Sequence, residues 1–302
     1  MALDLKNKVA FITGGASGLG LSMARAFGKE GMKVMLADID EQAMAAAKAD
    51  LEGRQVQVAT VRCDVTDRGS VKSAALQTIA DFGKVHVVCN NAGVAVGGPL
   101  GTVRERDWDW IIDVNLKGVV YGTEVFAPLI RSHGEGGHFV NTASMAGIIA
   151  PPLMEPYTAT KFAVVAMSEG WAVQLAPFNI GVSVLCPGFV RTLIHESWRN
   201  KQAAYGGAVP NDAGVGESAA QAAANVLGGI DPDVVGARVV EGIQANELHI
   251  FTHREMRAFA EMRFQAIMQG FDRADASAAL SVLPKADPTT MLQGIQMPGA
   301  AP

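Results

Sequence analysis

Thr13-Gly14-Gly15-Ala16-Ser17-Gly18-Leu19-Gly20 follows an apolar run at residues 8–13 and opens a segment in which Leu19, Met23, Ala26 and Phe27 recur at helical spacing. Glycines between a strand and a helix permit a tight turn. They also let the backbone approach a pyrophosphate resting on the helix N-terminus. The spacing is G-x-x-x-G-x-G, on Gly14, Gly18 and Gly20, rather than the commoner G-x-G-x-x-G. A glycine-rich turn alone is a weak signal, because an ordinary tight turn reads the same way. Its surroundings carry more. Asp38 closes the next apolar run, where a carboxylate can accept hydrogen bonds from ribose hydroxyls. Asp64-Val65 follows the third run and Asn90-Asn91-Ala92-Gly93 the fourth. All fall at the carboxyl ends of expected strands, where an open parallel sheet binds its ligand.

The alternation continues outward from this turn. Further strands are expected at 33–38, 56–62, 85–89, 138–142, 180–186 and 248–251. Helices are expected at 18–30, 41–51, 67–82 with Asp67 as N-cap, 104–131 with a kink at Pro128, 155–176, 231–246 and 253–268. Short, nearly continuous apolar strands alternating with helices imply a doubly wound α/β fold, a parallel sheet covered on both faces. Residues 189–230, rich in Gly, Ala and Asn, read as an irregular insert with one or two short helices. In 253–268, Met256, Phe259, Met262, Phe264 and Ile267 are available for packing. The Ala/Pro/Gly-rich stretch after Gly270 reads as poorly packed or as a clasp on a neighbouring subunit. One domain over 1–270 with a C-terminal tail over 271–302 is the resulting organisation, and no solenoid-like repeat is present.

The 302 residues suit one large α/β domain, and 49% hydrophobic against 18% charged residues supplies a substantial core. A net charge of -5 argues against a nucleic-acid partner. No apolar run approaches the roughly 20 residues of a membrane helix. Residues 1–6 show no basic region followed by an apolar stretch, so no signal peptide and a cytoplasmic location are expected. Cys63, Cys89 and Cys186 lie near strand ends without C-x-x-C spacing and read as buried packing residues. No metal site is expected: among the histidines only His249 and His253 stand at ligand spacing, and they straddle a strand end.

Tyr157 and Lys161 stand one helical turn apart in Tyr157-Thr158-Ala159-Thr160-Lys161, and so share a face. An ammonium about 4 Å from the phenol, at an effective dielectric near 20, is worth on the order of 4 kcal/mol. That would draw the tyrosine from its usual value of about 10 toward neutrality, where a general acid/base works best. Alone, Y-x-x-x-K is a short motif that any helix can carry. Ser144 could likewise be only a turn residue, and Asn115 a helix residue bonded to backbone.

Together these motifs resemble the short-chain dehydrogenase/reductase superfamily: T-G-x-x-x-G-x-G, Asp64-Val65, N-N-A-G, Asn115, Ser144, Y-x-x-x-K, and Pro187-Gly188 followed by Thr192. The resemblance is continuous from about residue 7 to 192 and looser to 251. It implies a Rossmann sheet of seven parallel strands in the order 3-2-1-4-5-6-7. It implies Tyr157 as general acid/base, Lys161 on the nicotinamide ribose, Ser144 on the substrate oxygen, and Asn115 holding a local bend and a proton-relaying water. Gly14, Ser17, Gly18, Leu19, Gly20, Asp38, Asp64, Val65, Asn91, Ala92 and Gly93 would hold the dinucleotide. Pro187, Gly188, Val190 and Thr192 would embrace the nicotinamide. NADP-using relatives offer a base at the places held here by Ser17 and Ile39, and the Asp38 carboxylate would repel a 2′-phosphate. NAD is therefore the expected cofactor. The resemblance also implies a homodimer or homotetramer, since in relatives the long helices corresponding to 104–131 and 155–176 form a four-helix interface.

Val94, Val96, Met145, Ile148, Ile149, Pro151, Pro152, Met154, Phe189, Ile194 and Trp198 would wall a roomy apolar pocket with His195 as a polar member. Several of these could equally pack only on one another. Arg191, Arg199 and Lys201 are too few for a sugar phosphate or acyl-CoA. A hydrophobic, aromatic secondary alcohol or its ketone fits, and a steroid, terpenoid or cyclic alcohol stays open. Residues 192–197 and 261–267 are also similar to bacterial dehydrogenases that oxidise the benzylic alcohol of lignin-derived aryl ether dimers. A dinucleotide-sensing regulator without catalysis is the reading from another class; such proteins typically lose the tyrosine or lysine.

Overall fold

The computed structural model describes residues 3–209, 217–284 and 287. Seven parallel strands form one sheet in the order β3-β2-β1-β4-β5-β6-β7. They are β1 Val9–Thr13, β2 Lys33–Asp38, β3 Val58–Arg62, β4 Val87–Asn90, β5 Gly137–Thr142, β6 Ile180–Cys186 and β7 His249–Phe251. The helices between them are α1 Gly18–Lys29, α2 Glu41–Gly53, α3 Arg68–Phe82, α4 Glu105–Ile112, α5 Gly118–His133, α6 Glu155–Leu175, α7 Glu217–Leu227, α8 Pro232–Gln244 and α9 Arg257–Asp275.

Alternation along β1 shows how the sheet is covered on both faces. Ala10 and Ile12 enter one core with Met23 and Phe27 of α1 and Val235, Val239 and Ile243 of α8. Phe11 points the other way, into a core with Val71 of α3 and Phe126 and Ile130 of α5. Its ring lies 4.4 Å from that of Phe126, and burying one such side chain contributes roughly 1.5–3 kcal/mol. Asp40, Asp67 and Asp231 accept from first-turn amides of α2, α3 and α8.

The region read as one helix over 104–131 differs from that expectation. It is interrupted by a π segment, Asp113–Lys117, and Pro128 lies inside the uninterrupted α5. A π turn admits one extra residue and is concentrated at functional sites; here it contains Asn115. The insert's two ends are pinned together at its neck. Arg191 N–H donates to Ile230 O at 3.0 Å and Ile230 N–H to Phe189 O at 3.1 Å.

The chain divides into two units, residues 1–252 and 253–302, a boundary earlier than the 270 read from sequence. The second contains α9, which continues to Asp275, past the end expected at 268, and exposes Phe259, Met262, Phe264, Ile267, Met268 and Phe271. Most of the expected tail lies outside the described residues. Among the described residues no helix is long and apolar enough to cross a membrane.

Candidate active site

The glycines of the first turn are required by close approaches. A Cβ on Gly14, whose φ is +61°, would meet Ala92 Cα at 2.9 Å. One on Gly20 would lie 2.1 Å from Gly14 O. Gly18, at φ +50°, faces Thr192 from the far side of the crevice, where a Cβ would meet its Cγ2 at 3.2 Å. Ser17 makes no side-chain cap on α1, and the first turn of α1 carries no acidic residue. The three Asp-capped helices contrast with it. An uncapped, unopposed helix N-terminus behind a glycine turn suits a pyrophosphate.

Asp38 ties the end of β2 to that turn. Its Oδ2 accepts from Ala16 N at 3.0 Å, and its Oδ1 from Ile39 N at 2.8 Å and Asp40 N at 3.1 Å. Burial pushes its carboxyl up, against the lowering effect of these amides. Each carboxylate oxygen has room for more than one donor, so ribose hydroxyls can still be accommodated at Oδ2. The Asn91 side chain is held by the turn. Its Nδ2 donates to Thr13 O and Gly14 O, and its Oδ1 accepts from Thr142. Asn91 therefore staples the turn. Thr13, the first residue of the motif, does the same: its Oγ1 accepts from Asn91 N at 2.9 Å and Ala92 N at 3.1 Å. Val65 is buried, packing where a Cβ on Gly118 would meet it at 3.0 Å.

Ser144 lies just past β5, where its Oγ accepts from Ala146 N at 3.1 Å and reaches Pro187 O at 3.4 Å. Lys161, buried on the next turn of α6, donates through Nζ to Thr142 O at 2.8 Å and stands 5.5 Å from the Tyr157 ring centroid. Asn115 brackets Val94: its Oδ1 accepts from Val94 N at 2.8 Å and its Nδ2 donates to Val94 O at 2.9 Å. A Cβ on Gly93 would lie 3.5 Å from Asn115 Oδ1 and 3.6 Å from Lys161 Nζ. The four expected catalytic residues thus converge at the carboxyl ends of β4 and β5.

The electrostatics correct the sequence arithmetic. Burial pushes the Tyr157 phenol above its ordinary value, with the Ser144 hydroxyl acting in the opposite direction. Helical spacing sets the distance between the two groups but not their desolvation, which acts on both partners. Burial also lowers Lys161 to about 8. Because the unfolded lysine titrates higher, near 10.4, the unfolded chain binds more protons between those values. Stability from this group therefore rises as pH climbs from about 8 to about 10.4. We expect the unfolding free energy of wild type to gain roughly 2–3 kcal/mol on Lys161→Met between pH 7 and 10.4. Denaturant unfolding of both proteins at each pH checks this; a constant difference would show that Lys161 is not desolvated.

Of the expected pocket residues, Val96 and Met145 are buried, Val96 within the core around Trp110 and Ile111. Ile149, Met154, Ile194, His195 and Trp198 are half-buried, and Phe189 is exposed. Pro187 O, buried beside them, accepts from Met145 N at 2.8 Å. Val190 is buried next to the neck, where it pairs with Ile230. Burial pushes Cys63 and Cys186 up to about 12 and raises Cys89 further, which keeps all three as thiols. His86, His133 and Glu135 lie within reach of a common cation. Yet both His Nδ1 atoms accept backbone amides, from Val9 and Glu135, and their Nε2 atoms face Glu135 and Val85 O. No ring lone pair is left for a metal.

The family model of short chain dehydrogenases matches residues 8–203. C alpha-dehydrogenase of Sphingobium sp. (strain NBRC 103272 / SYK-6) is 37% identical over 268 residues, covering 88% of this chain and 87% of that protein. A solved short chain dehydrogenase/reductase from Burkholderia phymatum, in complex with NAD, is similar with a TM-score of 0.85 at 36% identity, covering 89% of this chain and 96% of that one. The apo form of LigO from Sphingobium sp. strain SYK-6 gives 0.78 at 30% identity, covering 98% and 100%.

Proposed function

The chain belongs to the short-chain dehydrogenase family, and on that footing we propose that it is an NAD-dependent oxidoreductase interconverting a hydrophobic, aromatic secondary alcohol and its ketone. The observation that carries this reading is the buried Lys161 Nζ 5.5 Å from the Tyr157 ring centroid and bonded to Thr142 O, with Ser144 just past the end of the same strand, next to an uncapped glycine-turn helix. NAD, when bound, supplies the hydride acceptor or donor.

The chain's own residues do the rest. Tyr157 takes a proton from the alcohol oxygen in oxidation and returns one in reduction. Ser144 donates a hydrogen bond to that oxygen and stabilises the negative charge that develops on it. Lys161 places a cation between Thr142 O and the phenol, and Asn115 fixes the backbone at Val94 beside them. Asp38 and the α1 N-terminus hold the adenosine ribose and pyrophosphate, and Asp64 and Val65 lie at the adenine end. The aromatic substrate is supported by the apolar half-buried residues Ile149, Met154, Ile194 and Trp198 and by the likeness to a C alpha-dehydrogenase.

Nicotinamide absorbance with NAD and NADP, against a panel of aryl carbinols, cyclic alcohols and hydroxysteroids, tests this. Turnover of aryl carbinols with NAD is expected; absence of turnover with dinucleotide bound would favour a sensing role instead. Asp38→Ala is expected to weaken both cofactors, because it also frees Ala16 N, but to reduce the NAD-over-NADP preference by roughly tenfold or more. A wild-type preference for NADP would overturn the assignment.

A further inference from the structure

The insert does not merely hang from its neck. Beyond Thr192, which stands over Gly18, the chain passes Ser197, whose Oγ accepts from Ala95 N at 3.1 Å. It then anchors along α4 and the π segment. Lys201 pairs with Asp107, both buried, and its Nζ lies 5.1 Å from the Trp110 ring centroid. Arg104 Nε holds the other oxygen of Asp107 at 2.6 Å. Tyr205 donates its hydroxyl hydrogen to Asp113 Oδ2 at 2.6 Å. Between these, Gln202 reaches the end of β3. Its Nε2 forks onto Asp64 Oδ1 and Oδ2 at 3.1 Å each, and its Oε1 accepts from Trp110 Nε1 at 3.1 Å.

The two ends of this run flank the crevice. Thr192 stands past β1, Gln202 past β3, and Asp38 lies between them at the end of β2. Residues 192–205 thus run as a strap beside the dinucleotide crevice, and we propose that Gln202 is its latch, a positioning residue that couples cofactor release to Asp64. The inference rests on the NAD-dependent reading above.

Two features suit a strap that opens and closes. The Lys201–Asp107 pair is buried, so much of its attraction is offset by lost hydration, and lifting the strap restores water to both charges. Such a pair fixes register with little net hold. Asp64 Oδ1 already accepts from Thr66 N and Thr66 Oγ1 as well as Gln202, whereas among the described residues Oδ2 accepts from Gln202 alone. Oδ2 therefore has a lone pair for an amino donor on the cofactor's base, while Gln202 keeps its fork. One carboxylate can then be shared by ligand and strap, so that each favours the other.

The test is NADH release from the full-length protein, followed by stopped-flow displacement with excess NAD, for wild type, Gln202→Ala and Gln202→Glu. A latch bonded to a carboxylate predicts release faster by about tenfold in Gln202→Ala. It predicts an effect at least as large in Gln202→Glu, where a second carboxylate opposes Asp64, and this excess should shrink with added salt. A role in packing alone predicts the reverse order, since glutamate nearly matches glutamine in shape and alanine leaves a void. Hydrogen exchange gives the second readout: saturating NADH should slow the amides of 194–205 in wild type, and much less in either variant. Wild-type release rates retained in both variants, or amides of 194–205 indifferent to NADH, would overturn the latch. Failure of wild type to bind NADH at all would instead overturn the cofactor reading and the latch with it.

Discussion

Tyr157→Phe is expected to lower turnover by about 10²–10⁴-fold while NADH affinity stays within about twofold. The change removes one oxygen and leaves the ring on its face of α6, beside Lys161 and Ser144. The neighbouring polar groups among the described residues are poorly suited to exchange the proton in its place, the Cys186 thiol being held protonated by burial. Ser144 is a hydroxyl already accepting from Ala146 N, and Lys161 donates to Thr142 O with its Nζ set back from the reacting side. The pH dependence follows from the burial that holds the phenol high. Oxidation needs the deprotonated form, so wild-type oxidation should climb through the alkaline range, and reduction should fall there. Steady-state kinetics across pH, with NADH titration of the variant, checks both halves. Retained turnover in Tyr157→Phe would remove Tyr157 from the acid/base role.

Gly20→Ala is expected to destabilise the chain by roughly 2–4 kcal/mol and to weaken dinucleotide binding by more than about a hundredfold. Position 20 is helical, and in an open helix alanine would be favoured over glycine by about 1 kcal/mol. The clash decides the sign. The new Cβ would lie 2.1 Å from Gly14 O, 2.8 Å from Gly14 C and 2.9 Å from Asn91 Nδ2. Two of these are backbone, and the third is the staple that holds the turn. Relief requires α1 to part from the turn it opens, which spoils the anion site as it relieves the clash. Gly170 in α6 is the control: a Cβ there meets nothing within 4 Å. Gly170→Ala should therefore stabilise by roughly 0.4–1 kcal/mol. Thermal melts of both, with NADH titration of each, measure the contrast; equal behaviour would mean that Gly20 is not held against the turn.

The sheet was legible because its signal is local. A strand of four to seven apolar residues stopped by Gly, Asp or Pro declares itself, as at Thr13, Asp38 and Pro187, and the observed order 3-2-1-4-5-6-7 is that of the family the motifs resemble. The convergence of Ser144, Tyr157, Lys161 and Asn115 was legible through that resemblance. The sequence was silent where the cause is tertiary. A π turn at Asp113–Lys117 has the same apolar spacing as the helices beside it, so 104–131 read as one helix. That Asn91 also staples the turn depends on carbonyls 77 and 78 residues away in the chain. Desolvation of Tyr157 and Lys161 depends on what covers α6, which spacing alone does not encode. Gln202 sits in a stretch without periodicity, and its partner lies 138 residues away in the chain.

The pinned neck at Phe189–Arg191 and Ile230 has a consequence for how such a chain diversifies. Two backbone hydrogen bonds and the Arg191–Asp231 ion pair at 2.8 Å close the insert where it leaves the sheet. The loop-closure entropy of the segment is met at its base by groups that do not depend on the side chains beyond them. Residues between the neck's two sides can then be lengthened, shortened or exchanged while β6 and α8 keep their register. A segment grafted from another family member at these two points is therefore expected to keep its closure at the neck, and to keep its seat on the sheet only where it supplies partners for Ala95, Asp107, Asp64 and Asp113.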